Sequence, residues 1–211
     1  MRAIICTAYG APDVLQLRQA EKPVPAEHEV LIKIHAAVVG PSDCAFRKGE
    51  PFIVKLIYGL SKPRLQTQGV EFAGRVEAVG GAVTSFAPGD EVFGMSPNTF
   101  GAHADYLRLP ATKPLTRKSP QMSYEAAVAI CDGAPTALTF LRDKARIQPG
   151  QQVLINGASG AVGVYAVQLA KHFGAEVTGV CSGANVELVA SLGADHVIDY
   201  AKEDFAAGGR R

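Results

Sequence analysis

Residues 153–163, with the sequence VLINGASGAVG, constrain the fold of this chain more than any other stretch. The first three form a short apolar run, which predicts a strand buried on both faces of a sheet. Gly157, Gly160 and Gly163 follow at intervals of three, and residues 164–174 then show a helical pattern that ends in a glycine. A strand, a glycine-rich turn and a helix in this order predict the start of a dinucleotide-binding βαβ unit.

The glycines of such a unit have separate roles. One allows a tight turn, one lets the backbone approach a pyrophosphate, and one lets helix and strand pack closely. The pyrophosphate then lies at the helix N-terminus, where free N–H groups and the helix dipole favour an anion. The spacing here is G-x-x-G-x-x-G rather than G-x-G-x-x-G, and the alternative is a glycine-rich surface turn without a ligand. The candidate cofactor-binding residues of this turn are Asn156, Gly157, Ala158, Ser159, Gly160, Ala161, Val162 and Gly163.

Composition limits the possible partners. A chain of 211 residues with 47% hydrophobic and 19% charged residues is globular, and is long enough for one large domain or two small ones. The formal net charge of +1 gives no reason to expect a nucleic-acid or anionic-membrane partner. No apolar run approaches the roughly 20 residues that span a bilayer, so no membrane segment is expected.

Cysteine usage indicates a reducing compartment. The cysteines are widely spaced without a C-x-x-C pattern, which argues against a disulfide framework and a structural zinc site. The apolar run at residues 1–6 is too short for a signal peptide, so we expect a cytoplasmic protein. The cysteines are Cys6, Cys44, Cys131 and Cys181.

Residues 1–120 are expected to be rich in β-structure. Residues 29–37 alternate between apolar and polar positions, and residues 70–79 do so similarly. The turn signal Pro-Gly-Asp at residues 88–90 precedes another strand, and residues 103–109 predict one more. Several short strands separated by glycine and proline predict a small barrel or sandwich.

The pattern changes near Pro120. Ser123 fits the N-cap of a helix, and residues 138–147 predict a second helix. Beyond the glycine-rich turn, residues 176–181 and 196–199 predict two further strands with a helix between them. The order β-α-β-α-β predicts an α/β fold with a parallel sheet and right-handed crossovers.

Several stretches, taken in their order, resemble the medium-chain dehydrogenase/reductase superfamily and its zinc-independent quinone oxidoreductase branch. They are residues 69–74 (GVEFAG), 88–94 (PGDEVFG), 101–106 (GAHADY), 148–153 (QPGQQV), 156–163 (NGASGAVG) and 192–200 (LGADHVIDY). The resemblance implies a β-rich GroES-like substrate domain over residues 1–120, followed by the first half of a Rossmann NADPH-binding domain over residues 121–211. It implies hydride transfer from NADPH to quinones, enones or related small carbonyl compounds.

The resemblance also bears on zinc. Zinc-binding relatives carry a ligand cysteine and a ligand histidine where this chain has Gly40 and Val70. Neither residue can bind a metal, so no metal site is expected and a substrate carbonyl must be polarised by hydrogen bonds. The histidines show no metal-ligand spacing, and His35 and His103 are expected as strand-surface residues.

Ser42 and Asp43 are the candidate catalytic residues. They match a motif near the nicotinamide in relatives, where the zinc-free branch often has Asn-Pro-x-Asp and this chain has Gly-Pro-Ser-Asp. The amide donor of that motif is therefore missing. Ser42 matches a hydroxyl that relays protons in the zinc enzymes, and its alternative role is that of a turn residue after Pro41.

The residues after the second strand of the nucleotide unit favour NADPH. NAD enzymes place an acid at the end of this strand, whereas this chain has Cys181, itself expected as a small apolar strand residue. Ser182 can donate a hydrogen bond to a 2′-phosphate, and Tyr200 matches a tyrosine that lines this site in relatives. No arginine stands in the segment. Thr136 matches a threonine near the cofactor, with helix capping as its alternative role.

The resemblance covers only part of the family's length. Strands equivalent to the nicotinamide half of the Rossmann domain are missing, as is the edge through which full-length relatives dimerise. Residues 153–155 are then expected to form an open edge that aggregates or recruits another chain. The chain as given is expected to be weak or inactive in reduction of its small-molecule carbonyl or quinone substrate. The alternative function is that of a non-catalytic, crystallin-like NADPH-binding protein.

Overall fold

The computed structural model describes residues 1–97 and 99–206. These form two compact units, Met1–Cys131 and Asp132–Arg211. A loose tail is predicted for residues 206–211, and all of it except Ala206 lies outside the described residues. Within the described ranges, no helix combines the length and the apolar character needed to cross a membrane.

The described residues of the first unit form seven strands. They are β1 (Arg2–Cys6), β2 (Leu15–Gln19), β3 (Glu29–Ala37), β4 (Glu71–Val79), β5 (Glu91–Met95), β6 (Tyr106–Pro110) and β7 (Leu115–Arg117). Five form an antiparallel sheet in the order β6-β3-β4-β5-β7, and β1 and β2 form a separate antiparallel pair. The strand predicted at residues 103–109 thus begins at Tyr106, after the positive-φ turn at Phe100 and Gly101.

One face of this sheet forms the core of the first unit. Val30, Ile32 and Phe72 are each 0% exposed, as the alternation along residues 29–37 predicts for the first two. Two helices, α1 (Pro41–Lys48) and α2 (Ile53–Tyr58), lie between β3 and β4 in the chain. A third, α3 (Tyr124–Ala129), packs on β3, β4 and β5, and Ser123 caps it by accepting from the Ala126 N–H at 3.1 Å.

The second unit has the predicted β-α-β-α-β order. The elements are α4 (Gly133–Leu138), β8 (Gln152–Asn156), α5 (Gly163–His172), β9 (Glu176–Cys181), α6 (Val186–Ser191) and β10 (His196–Asp199). The strands are parallel in the order β10-β9-β8, with α5 and α6 as the crossover helices. The helix predicted at residues 138–147 instead begins at Gly133 and continues from Thr139 to Lys144 as a π-helix, because Pro135 fits the first turn of α4.

The prediction that residues 153–155 are buried on both faces is wrong for the described structure. Val153 and Ile155 pack into the core with α5, but Leu154 points to the opposite face and is 49% exposed. In the part of the chain that the structure describes, α5 and α6 both pack into the same core cluster, and β8 is an edge strand. The predicted open edge is therefore present.

Candidate functional site

The glycine-rich turn joins β8 to α5 and is closed onto the neighbouring strand. The N–H groups of Gly157 and Ala158 both donate to the carbonyl of Val180 in β9, at 3.0 and 2.9 Å. Gly157 has a φ of 76°, a conformation that side chains other than glycine rarely adopt, and nothing lies within 4 Å of a Cβ built there. The turn is therefore held against β9 by hydrogen bonds, while the space around Gly157 is open. A cradle for a ligand requires both.

Gly163 lets the first turn of α5 pack against this cradle. A Cβ built on Gly163 would overlap the Gly157 carbonyl oxygen and would lie 2.8 Å from the Ala158 Cα. Any side chain at this position would therefore have to displace backbone. The N-terminus of the ten-residue α5 faces the turn, where its free N–H groups favour an anion.

Helix α4 approaches the same turn through Gly133, a residue that the sequence did not single out. A Cβ on Gly133 would overlap the carbonyl of Ala161 and would lie 2.7 Å from the Tyr165 ring. Thr136 lies inside α4, with Asp132 at the N-cap, so the alternative capping role for Thr136 is wrong. The close packing of α4 places the Thr136 helix directly beside the glycine-rich turn.

A polar group connects the turn to the end of β9. The side-chain amide of Asn185 donates to the hydroxyl oxygen of Ser159 at 3.2 Å and to that of Ser182 at 3.0 Å. Two predicted site residues from separate segments are thus brought together by a third that was not predicted. Asn185 could not be identified from the sequence as a link between the two segments, because it becomes a neighbour of Ser159 only when β8 and β9 pair.

The end of β10 lies beside the end of β9. Asp199 pairs with Cys181 in the parallel ladder, and the Tyr200 N–H donates to the Cys181 carbonyl at 3.1 Å. The Tyr200 side chain is 58% exposed, so its ring is accessible. Cys181 is buried in the core as predicted, and burial, followed by the nearby Asp199 charge, raises the pKa of its thiol.

The predicted catalytic residues lie at the start of α1 in the first unit. Asp43 is 6% exposed and accepts from the Gly40 N–H through Oδ2 at 2.8 Å, which fixes the turn that leads into the helix. Its other oxygen, Oδ1, is buried without a hydrogen-bond partner in the described residues. Ser42 is exposed and leaves its hydroxyl available to a ligand. A buried carboxylate oxygen without a hydrogen-bond donor costs free energy of folding.

His103 lies close to this turn and is not the strand-surface residue that we expected. It precedes β6, is half-buried, and its Nε2 is 2.9 Å from the carbonyl oxygen of Val38. Because a carbonyl only accepts, Nε2 carries the hydrogen. Gly69 makes room for the ring, since a Cβ there would lie 2.5 Å from the His103 Cδ2.

The positions that hold zinc ligands in relatives carry Gly40 and Val70 here, and neither has a ligating side chain. Across residues 1–97 and 99–206, no three His, Cys, Asp or Glu side chains are grouped so that they could hold a metal ion.

Helix α2 presents an apolar face to solvent. Its Ile53, Leu56 and Ile57 side chains are 53%, 53% and 58% exposed. The Tyr58 ring contacts that of Phe46 in α1, with centroids 5.0 Å apart, so α2 is held against the helix that bears Ser42 and Asp43. Exposed apolar side chains at helical spacing on one face usually indicate a binding surface.

Comparisons with known proteins agree with this architecture. Residues 26–120 match the family described as "Alcohol dehydrogenase GroES-like domain", and residues 161–208 match "Zinc-binding dehydrogenase". The chain is 34% identical over 210 residues to human quinone oxidoreductase, covering 97% of this chain and 60% of that protein. It belongs to the medium-chain dehydrogenase/reductase superfamily, in the zinc-independent quinone oxidoreductase-like branch.

Other known proteins show similar sequence identity to this chain. The tomato 2-methylene-furan-3-one reductase is 37% identical, over 97% of this chain and 53% of its own length. The structure of the Coxiella burnetii quinone oxidoreductase superimposes with a TM-score of 0.91 at 32% identity, covering all of this chain and 65% of that one. The structure of the Escherichia coli quinone oxidoreductase complexed with NADPH superimposes with a TM-score of 0.84 at 29% identity, covering 98% of this chain and 61% of that one. The chain thus spans between about half and two thirds of these relatives' length.

Proposed function

We propose that this protein is an NADPH-dependent oxidoreductase that reduces quinones, enones or related small carbonyl compounds. The observation that carries the proposal is the glycine-rich turn, with its backbone closed onto β9 and Gly163 packed against it. The open space in front of Gly157 fits a pyrophosphate. Similarity to quinone oxidoreductases and to a furanone reductase supports the substrate class.

The residues of each unit would have distinct tasks. The nicotinamide supplies a hydride when it is bound. In the second unit, residues 156–163 would bind the pyrophosphate through backbone N–H groups, and Thr136 would contact the cofactor from α4, which packs on that turn through Gly133. In the first unit, the Ser42 hydroxyl would donate to the substrate oxygen, and Asp43 would hold the turn that presents it. The apolar face of α2 would suit an apolar quinone or enone.

Replacing Ser42 with alanine is expected to lower kcat for quinone reduction about tenfold, because one hydrogen-bond donor to the developing oxyanion is lost. The measurement is NADPH oxidation with a panel of quinones and enones, with and without a chelator, in a version of the protein extended to the length of its relatives. Ser85→Ala removes an exposed hydroxyl elsewhere in the first unit and serves as the control. Full activity in Ser42→Ala would contradict the role of Ser42. Loss of wild-type activity on chelation would contradict the zinc-free mechanism.

Cofactor preference is the finer part of the proposal, and we infer that NADPH binds more tightly than NADH. Replacing Ser182 with aspartate is expected to reverse this order, because a carboxylate there repels a 2′-phosphate and accepts from a 2′-hydroxyl. The buried Cys181 is unsuitable for this test, since a carboxylate would enter the core. Ser191→Asp adds the same charge on an exposed residue of α6 and is the control. Equal wild-type affinities for the two cofactors, measured by calorimetry, would refute the preference.

One observation favours a second candidate function. Gly40 stands where the zinc-free branch often carries an asparagine, so the first unit lacks that amide donor. A protein that binds NADPH without turnover, like the crystallin-like members of this branch, is the resulting alternative. Tight NADPH binding with no reduction of any carbonyl tested would favour it. Aggregation or recruitment of another chain at the open edge, a cytoplasmic location and the absence of nucleic-acid and membrane partners remain predictions.

A further inference from the structure

The end of β10 supplies a cation that has no role in the function proposed so far. The Lys202 ammonium lies 3.6 Å from Oδ2 of Asp199, and its side chain is 79% exposed. Asp199 itself is 8% exposed, and its Oδ1 accepts from the Ala201 N–H at 3.1 Å. The carboxylate is therefore fixed, while the lysine that it holds can still reach a ligand.

This ion pair lies next to the serine that follows β9. A Cβ built on Gly183 would be only 2.6 Å from Oδ2 of Asp199, so the carboxylate packs against the residue directly after Ser182. The parallel pairing of Asp199 with Cys181 produces this arrangement. Residues 181–185 contain no positive charge, and Lys202, in the turn that follows β10, thus supplies one beside them.

The hydroxyl groups of Ser159 and Ser182 are oriented as hydrogen-bond donors. Asn185 donates from one amide nitrogen to the oxygens of both Ser159 and Ser182. Each hydroxyl oxygen accepts from Asn185, so each retains its own hydrogen for another acceptor. Two hydroxyl donors and an ammonium match the needs of a phosphate, which accepts several hydrogen bonds and carries negative charge.

We propose that Lys202 is the cation that selects the 2′-phosphate of NADPH, and that Asn185 positions the hydroxyls of Ser159 and Ser182 as donors to the same phosphate. The proposal deepens the function proposed above and rests on it. Asp199 opposes a phosphate less than an unpaired carboxylate would, because Lys202 and a backbone N–H offset part of its charge. The arrangement replaces the arginine fork that commonly binds this phosphate.

The test compares NADPH with NADH by calorimetry on the purified protein. Lys202→Gln is expected to weaken NADPH binding about tenfold and to leave NADH binding unchanged, because only NADPH carries the 2′-phosphate. Asn185→Ala is expected to weaken NADPH binding severalfold, again without a change for NADH. Lys144→Gln removes an exposed lysine elsewhere in the second unit and should change neither affinity.

The outcomes separate this inference from the proposed function. If Lys202→Gln retains the wild-type preference, or loses both cofactors equally, the role of Lys202 is refuted. If the wild-type protein binds both cofactors equally, selection by Lys202 is refuted while cofactor binding stands. If the wild-type protein binds neither cofactor, the proposed function is refuted, and the role of Lys202 is refuted with it. Binding of NADH to each variant also shows that the variant is folded.

Discussion

Replacing Gly163 with alanine is expected to weaken NADPH binding at least about tenfold, because the new methyl group forces the cradle apart at a cost of roughly 1–3 kcal/mol. The added carbon would overlap the Gly157 carbonyl oxygen and would lie 2.8 Å from the Ala158 Cα. Both neighbours are backbone atoms of Gly157 and Ala158, whose N–H groups donate to Val180 in β9, so neither can move alone. Titration with NADPH, followed by the change in its fluorescence, measures the loss.

Gly160→Ala is the matched control within the same turn. A Cβ there would meet only the Gly157 oxygen, at 3.2 Å, a distance that a small shift relieves. We expect a much smaller loss of affinity than for Gly163→Ala. If the two variants bind NADPH equally well, close packing at Gly163 is not what shapes the cradle.

Replacing Phe72 with alanine is expected to destabilise the first unit by about 3–5 kcal/mol, since a fully buried ring is removed from a packed core. Phe72 is 0% exposed and pairs with Ala37 at the end of β3, just before the turn that bears Ser42 and Asp43. The variant should therefore lose order in that turn. Hydrogen exchange monitored by mass spectrometry would detect this as faster exchange along β3 and β4.

Leu17→Ala provides the comparison for Phe72→Ala. Leu17 lies in β2 and is 66% exposed, so its truncation is expected to change stability by less than about 0.5 kcal/mol. Similar exchange in both variants would mean that the Phe72 cluster does not form the core of the first unit. Peptides of the second unit offer an internal reference in the same experiment.

The sequence predicts well those features that depend on residues close together in the chain. The β8–turn–α5 segment is one example, because three glycines between an apolar run and a helical pattern allow few other structures. The capping of α3 by Ser123 is another, since the cap and its partner Ala126 are three residues apart. The parallel β-α-β-α-β order follows from alternating strand and helix patterns.

Features that depend on tertiary packing could not be predicted in this way. Asn185 meets Ser159 only because β8 pairs with β9. The local ion pair of Lys202 with Asp199 lies beside Gly183 only because β9 pairs with β10. The exposure of Leu154 depends on which face of the sheet the helices cover. An apolar run alone predicts a strand that is buried on both faces. The strand predicted from His103 begins only at Tyr106, and the positive-φ turn at Phe100 and Gly101 comes just before His103.

The pairing of Cys181 with Asp199 also affects how cofactor choice can evolve. The residues that follow the two strands, Ser182 and Tyr200, emerge side by side only while that register is kept. A point substitution at either position leaves the register intact and changes only the local chemistry. An insertion or deletion of one residue within β9 or β10 would turn the side chains to the opposite face. Changes in cofactor choice should therefore accumulate by substitution, with the lengths of both strands held constant.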